Sequence, residues 1–313
     1  MDALRLTLTP QTAFGTPLVG DTLFGHLCWG IAEAYGEARL RALLDGYCDG
    51  NPCLIASDAF PAGHLPLPTL PSAYWEKTPG EEDRKALKKR QWLPLDRLKE
   101  PVRDWQQHAK SNNDIAADLL TSHTQAHNSI NRATHTTGSD QFAPFASEQN
   151  WYSTNSQWQL YLLHDPARIT SDELALVLAN LGHSGYGRDA STGLGKYHVD
   201  ALEASDLFSR SGDAAMTLAP CCPQGQGFDG TRSYYQTLTR FGRHGNIQAT
   251  AGNPYKKPVL MAQTGAVFSG DRHGRPWIGQ GIGGISASQP EAVHQGYAPV
   301  IALEGRTQTL FTL

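Results

Sequence analysis

Residues 171–204 read Ser171-Asp-Glu-Leu-Ala-Leu-Val-Leu-Ala-Asn-Leu-Gly-His-Ser184, then Gly185-Tyr-Gly-Arg-Asp-Ala-Ser-Thr-Gly-Leu-Gly-Lys196, then Tyr197-His-Val-Asp-Ala-Leu-Glu-Ala204. The first part predicts an amphipathic helix. Leu174, Val177, Leu178 and Leu181 recur on one face, and Ser171 or Asp172 can accept free N–H groups of the first turn. The last part, 195–203, has strand character. Between 182 and 195, five of fourteen residues are glycine. A helix–strand connection needs only about 2–6 residues, so this one is oversized. Glycines permit positive φ and let backbone N–H groups approach an anion. Ser191 and Thr192 add hydroxyls, while Arg188 and Lys196 add charge. The loop is no Walker A motif, because Tyr197 follows the lysine and the chain runs from helix to strand. A flexible connection is the plain alternative. An extended anion such as an RNA backbone suits the length better than a mononucleotide.

Working outward, residues 3–8 alternate as a strand. Asp21 is placed to cap a helix reaching Leu44, with Leu23, Phe24, Leu27 and Ile31 on its apolar stripe. Residues 53–60 read as a second strand. A proline-rich crossing follows to Pro79, then a charged helix over 80–110 and a polar loop over 121–145. Strand character returns at Trp158–His164, before the helix and strand already described. That order fits a βαββαβ ferredoxin-like unit over residues 1–210, carrying a long insertion at about 62–150. Residues 211–313 are β-rich, with strands predicted at 214–220, 232–240, 258–268 and 297–303. The fold class expected is α+β.

The chain has 313 residues and a formal charge of −4. The charge is uneven. Arg84–Lys110 holds nine Lys/Arg against three acids, and Arg232–Arg275 holds seven against Asp271 alone. These segments carry +6 each, so the rest carries −16. A wholly basic binder is excluded, whereas a local basic groove is not. Arg84–Arg90 reads most simply as a solvated helix face. The second segment interleaves Tyr234, Tyr235, Arg240, Phe241, Arg243, Lys256 and Lys257, the mixture of cation and ring that holds single strands. Because the prolines precede it and its apolar stripe is narrow, Arg84–Lys110 is expected to lie outside the first core and to be cut first by proteases. Five cysteines without a CxxC pattern argue for reduced thiols, several of them in the core, and against a disulfide scaffold or zinc knuckle. No apolar run approaches the ~18 residues of a membrane span. The opening Leu4-Arg-Leu-Thr-Leu8 has no signal-peptide pattern, so a cytosolic protein is expected.

Five stretches, in order, carry a family resemblance: Gly20-Asp-Thr-Leu-Phe-Gly-His-Leu-Cys-Trp29, Ser57-Asp-Ala-Phe-Pro61, His127-Asn-Ser-Ile-Asn-Arg132 with Thr134, Gly185–Lys196, and Gly265-Ala-Val-Phe268. Together they resemble the CRISPR RAMP proteins, and among these the Cas-five-like family that forms the fourth subunit of type III-A (Csm) effectors. The resemblance implies two ferredoxin-like, RRM-like domains, the second over 211–313. It implies a non-catalytic, RNA-binding subunit in antiviral defence, one that caps the 5′ handle of crRNA and bridges the large polymerase-like subunit to the backbone RAMP subunits. No cofactor or metal is implied. The implied RNA contacts are Gly185, Gly187, Arg188, Ser191, Thr192, Gly193, Gly195 and Lys196, with His127, Asn128, Asn131 and Arg132 from the polar loop. Arg240, Arg243, Lys256 and Lys257 join them from the second basic segment.

Three rival readings are weighed from the residues: an RNA-cleaving enzyme, a metal site and a small-molecule enzyme. Related RAMP proteins cleave RNA with a histidine as general acid or base, and His26 lies about 140° from its helix's apolar stripe, where it would face solvent or a partner. Trp29 lies about 160° from the same stripe and is expected to contact another domain or subunit. His123 and His127 are spaced i, i+4 but lack the glutamate of a zinc-protease helix, so they read as loop polarity. No nucleophile elbow, dinucleotide fingerprint or paired-carboxylate motif is present.

Overall fold

The computed structural model describes residues 1–76, 84–138, 142–245, 254–272 and 274–303, with the Arg84 side chain outside that set. Parts of the predicted charged helix (80–83) and of the second basic segment (246–253 and 273) therefore lie outside the described residues.

In chain order the first elements are β1 (Asp2–Pro10), α1 (Gly20–Tyr35), α2 (Glu37–Leu44) and β2 (Leu54–Ala56). β3 (Phe60–Pro61) follows, and the insertion then contains β4 (His64–Pro66), α3 (Arg84–Lys89), β5 (Trp92–Pro94), α4 (Trp105–His108), α5 (Asn112–Ile115), β6 (Leu120–His127) and β7 (Phe145–Tyr152). Then come β8 (Trp158–His164), α6 (Ser171–Ser184) and β9 (Tyr197–Ala204). The remainder is strand: β10 (Ala214–Thr217), β11 (Thr237–Arg240), β12 (Val259–Ala262), β13 (Val267–Ser269), β14 (Trp277–Ile282) and β15 (His294–Leu303).

β1 shows why the first sheet forms. Leu4, Leu6 and Leu8 point to one face and are buried, while Arg5 and Thr9 point to the other and bind Glu203 and Asp200 at 2.7 Å each. Leu6 stands opposite Leu160 of β8 and Leu202 of β9. The sheet order is β2-β8-β1-β9, all antiparallel, with β3 also on β8. With α1 after β1 and α6 after β8, this is the expected βαββαβ path. Leu23, Phe24, Leu27 and Ile31 of α1 and Leu174, Val177 and Leu178 of α6 close the first core over the sheet.

Several local expectations are corrected. The predicted long helix breaks at Gly36 into α1 and α2. Asp21 does not cap α1: the N-cap is Val19, without a side-chain cap. Thr170, not Ser171 or Asp172, caps α6 in a capping box with Glu173. The polar loop begins and ends as a β-hairpin, β6 with β7, in which His123 and His127 lie on one face of a strand about 13 Å apart along it. The segment 84–110 lies off the first sheet but is not bare. Leu93, Leu98, Val102 and Trp105 are buried in a second core with Tyr161 of β8, Met216 and Ile301. Short elements without a helical period conceal that core from a periodicity reading, and first cutting by proteases there is no longer expected.

The second sheet has the order β13-β10-β15-β14, antiparallel throughout. Among the described residues 210–303 there is no α-helix, so this half departs from the implied βαββαβ plan. Every residue of β15 is buried. Its Tyr297 enters the first core beside Trp277, its Ile301 the second core, and its Ala298 and Val300 a third. All five cysteines are free thiols, and Cys53, Cys221 and Cys222 are buried.

Candidate nucleic-acid interface

Residues 185–196 are held from beneath. Tyr186 is fully buried; its hydroxyl donates to Pro17 O at 2.8 Å and accepts from Val19 N at 3.2 Å. The N–H of Gly187 donates to His26 Nε2 at 3.0 Å, and that of Arg188 to Thr16 Oγ1 at 3.0 Å. Gly195 N–H reaches Ala13 O at 2.7 Å, and Lys196 N–H reaches Thr12 Oγ1 at 3.0 Å. The N–H groups of Gly185, Tyr186, Thr192, Gly193 and Leu194 are also bonded within the chain. The glycines thus bring the loop backbone against residues 12–19; they do not bare a row of donors to an anion. A Cβ on Gly195, at φ 74°, would lie 2.0 Å from Tyr186 O. What the loop offers outward is side chains: Arg188, Ser191 and Thr192 are exposed, and Lys196 is half-buried.

His26 is corrected by this geometry. It is not a free surface histidine: it is half-buried, 4.9 Å from the Tyr186 ring centroid, and burial lowers its pKa to about 4. Its Nε2 lone pair takes the Gly187 N–H, so the ring is neutral with its proton on Nδ1. It positions the loop and has no free Nε2 to take a proton from a ribose hydroxyl.

The hairpin β6–β7 stands next to the loop. Phe14 and Asn150 exchange both backbone hydrogen bonds at 2.9 Å, and Arg188 donates to Glu148 O while pairing with Asp189 at 3.1 Å. One face of the hairpin presents Thr121, His123, Gln125 and His127 opposite Trp151, Gln149, Ser147 and Phe145. Trp151 and Phe145 are exposed; His127 stacks on Phe145 and bonds Ser147 Oγ at 2.8 Å. Asn128 and Arg132 are exposed, and Asn131 accepts from Ala133 N at 2.9 Å in a turn. The structure therefore places strand β7, and not the polar turn 128–134 itself, against the glycine-rich loop. The exposed rings of Phe145 and Trp151 escape a loop reading, although Phe145-Ala-Ser-Glu-Gln-Asn-Trp-Tyr152 alternates as a strand does.

The second basic segment divides. Arg240 is turned inward, its Nε 2.6 Å and Nη2 3.0 Å from the two carboxylate oxygens of buried Asp21. Lys256 is folded beneath the strand against Gly242, and burial lowers its pKa. Arg243 and Lys257 are exposed; Arg243 lies 5.6 Å over the Tyr255 ring, and Lys257 Nζ donates to Gly284 O at 3.0 Å. Thr237, Thr239, Phe241 and Leu260 continue this outward strip, and Phe241 is 74% exposed. Trp29 is half-buried, with Gly245 of the second half beside its indole nitrogen.

Three of the five resemblance stretches meet under this surface. Gly20 N–H donates to Asp58 Oδ1 at 2.7 Å, and Thr264 Oγ1, next to Gly265, donates to Asp58 Oδ2. Burial pushes Asp58 up to about 7, against the two hydrogen bonds. For Asp21 burial is the largest effect and also raises the pKa. A hydrogen bond from His294, at 3.4 Å, and the Arg240 charge outweigh it and hold the carboxyl below its usual value.

No protein-family model matches the chain, and no curated protein matches it. Solved structures do. A chain of a Csm1–Csm4 cassette crystallised with pppApA is 16% identical at a TM-score of 0.60, over 97% of this chain and 98% of that one. A chain of a Csm3–Csm4 subcomplex of the type III-A CRISPR–Cas interference complex is 13% identical at a TM-score of 0.60, over 97% and 100%. Csm4 is common to both assemblies, and the fold of this chain is similar to that of Csm4 along nearly its whole length.

Proposed function

We propose that this chain is a Csm4-type subunit of a type III CRISPR effector, binding guide RNA without cleaving it. The observation that carries the reading is end-to-end likeness in fold to chains solved with Csm1 and with Csm3. By analogy, this chain caps the 5′ handle of crRNA in the cytosol and joins a large polymerase-like subunit to backbone subunits. Its RNA surface is the outward side of residues 188–196, the ringed face of β6–β7, and the strip from Thr237 through Phe241 to Arg243 and Tyr255. Exposed aromatics beside cations suit single-stranded RNA, where bases stack and phosphates pair with charge. Arg240 and Lys256 hold the surface in place from within. The occupied Nε2 of His26 weighs against the endoribonuclease alternative.

The test uses Lys196 and Arg132, whose side chains form no hydrogen bond or ion pair within the described chain. The double variant K196A/R132A should bind handle-bearing RNA more weakly. The slope of log K against log salt should fall by about 1.4, taking ~0.7 per phosphate contact on a single strand. An unchanged slope in a folded variant would remove these two groups from the RNA surface. Failure of the wild-type effector to retain a short RNA of fixed 5′ end would remove the function itself.

A further inference from the structure

The ringed face of the hairpin is not level. Along β7 it carries Phe145, Ser147, Gln149 and Trp151, with His123 directly opposite Gln149 and Thr121 opposite Trp151. Phe145 and Trp151 are 55% and 47% exposed, yet Gln149 between them is only 8% exposed. The face therefore has a recess with Gln149 as its floor, and Trp151 stands one pleat away, about 7 Å along the strand. Arg188 donates to the carbonyl oxygen of Glu148, the residue before Gln149, so the recess opens beside the glycine-rich loop.

Among the described residues, Gln149 is the exception in its class. The other buried polar side chains are bonded: Gln295 uses both amide atoms on Ala56, and His244 bonds Ser286 Oγ at 2.7 Å. The Gln149 amide makes no hydrogen bond. Its oxygen and nitrogen are not sealed in either, and both keep access at the floor of the recess. A buried amide without a partner lowers stability, and it calls for a ligand that completes it. The group sets an acceptor beside a donor. Adenine presents the complement, an amino N–H beside the N7 acceptor, and a glutamine amide binds that edge through both atoms. Guanine shows two acceptors at the same place. Unpaired RNA bases are held in this way, stacked on an aromatic ring and hydrogen-bonded along one edge.

We propose that Gln149 makes the RNA surface selective at one position, by reading the amino edge of an unpaired adenine stacked on Trp151. The proposal rests on the reading of the hairpin face as part of the RNA surface, and it adds the residue that selects a base there.

The experiment titrates the full chain with two RNA decamers, oligo(A) and oligo(purine riboside), which lacks only the 6-amino group. The wild type should bind oligo(A) more tightly, by about fivefold or more. Gln149→Met, which keeps the side-chain length and removes the amide, should bind both decamers alike, at the wild-type affinity for the purine riboside RNA. Should that variant fail to fold, Gln149→Asn, which draws the amide back by one methylene, should lose the preference as well. F145A/W151A should weaken both RNAs several-fold, because stacking is lost. Equal binding of the two decamers by the wild type would overturn the proposal and leave the RNA surface standing. So would a preference that persists in a folded Gln149 variant. Full affinity in folded F145A/W151A would remove the hairpin face from the RNA surface, and the proposal with it.

Discussion

Asp21 and Asp58 sit at the start of one helix and are driven in opposite directions, one held ionised by Arg240 and His294, the other pushed up to about 7 by burial. The consequence for stability follows from linkage. An acid whose folded pKa exceeds its unfolded value of 3.8 gives a contribution fully present below pH 4 and lost as pH rises through 7. For Asp58 the loss is on the order of 2–4 kcal/mol. His26 works the other way. Its folded value of about 4 lies below the ordinary histidine value of 6.5, so its contribution is present above pH 6.5 and lost toward pH 4. The wild-type profile mixes both trends, and a difference measurement separates them. Asp58→Asn should gain on the wild type between pH 5 and pH 8, by on the order of 5–10 °C in melting temperature. A flat difference across that range would show that Asp58 does not titrate there.

At the scale of elements, the loop 185–196 is a packed connection, and its glycines are not equivalent. Gly195 stands with positive φ and no room for a Cβ beside Tyr186 O, whereas Gly193 shares the positive φ but opens on empty space. Gly195→Ala should therefore cost several kcal/mol and loosen the loop, while Gly193→Ala should cost only about 1 kcal/mol of backbone strain. Thermal melts of the two variants check the ranking, and equal costs would mean the loop yields at Tyr186. The sequence reveals the loop's length and glycine count, but not its mate: the residues of 12–19 that it bonds lie 167 to 184 positions away and carry no motif of their own. The same limit explains other differences. β1, α6 and β8 are legible because each repeats a period over seven or more residues. The insertion's core around Trp105 and the strand β14 are not, since they are short pieces or glycine-rich, and only the tertiary fold completes them. Among the candidate RNA residues, chain position alone does not tell exposed Arg243 from Arg240, three residues earlier and turned inward.

Across the whole molecule, the two halves share their interior. Tyr297 donates to Tyr47 O at 2.7 Å, and the Gln295 side chain both accepts from Ala56 N and donates to Ala56 O at 2.8 Å, taking the place of a strand beside β2. Arg240 completes the joint: 24% exposed, it reaches from β11 to an Asp21 side chain that is 0% exposed. Removing one partner of such a pair leaves a charge in the interior, which typically costs about 3–5 kcal/mol, whereas removing both can be nearly neutral. Arg240→Met should thus be strongly destabilising by denaturant titration, and D21N/R240M should recover most of the loss. The cycle also separates two roles for Arg240. Were it chiefly an RNA contact, R240M would weaken RNA binding with little change in stability, and the Asp21 substitution would rescue nothing. If it is the joint between halves, RNA affinity should follow folded protein, returning in D21N/R240M even though the arginine is still missing.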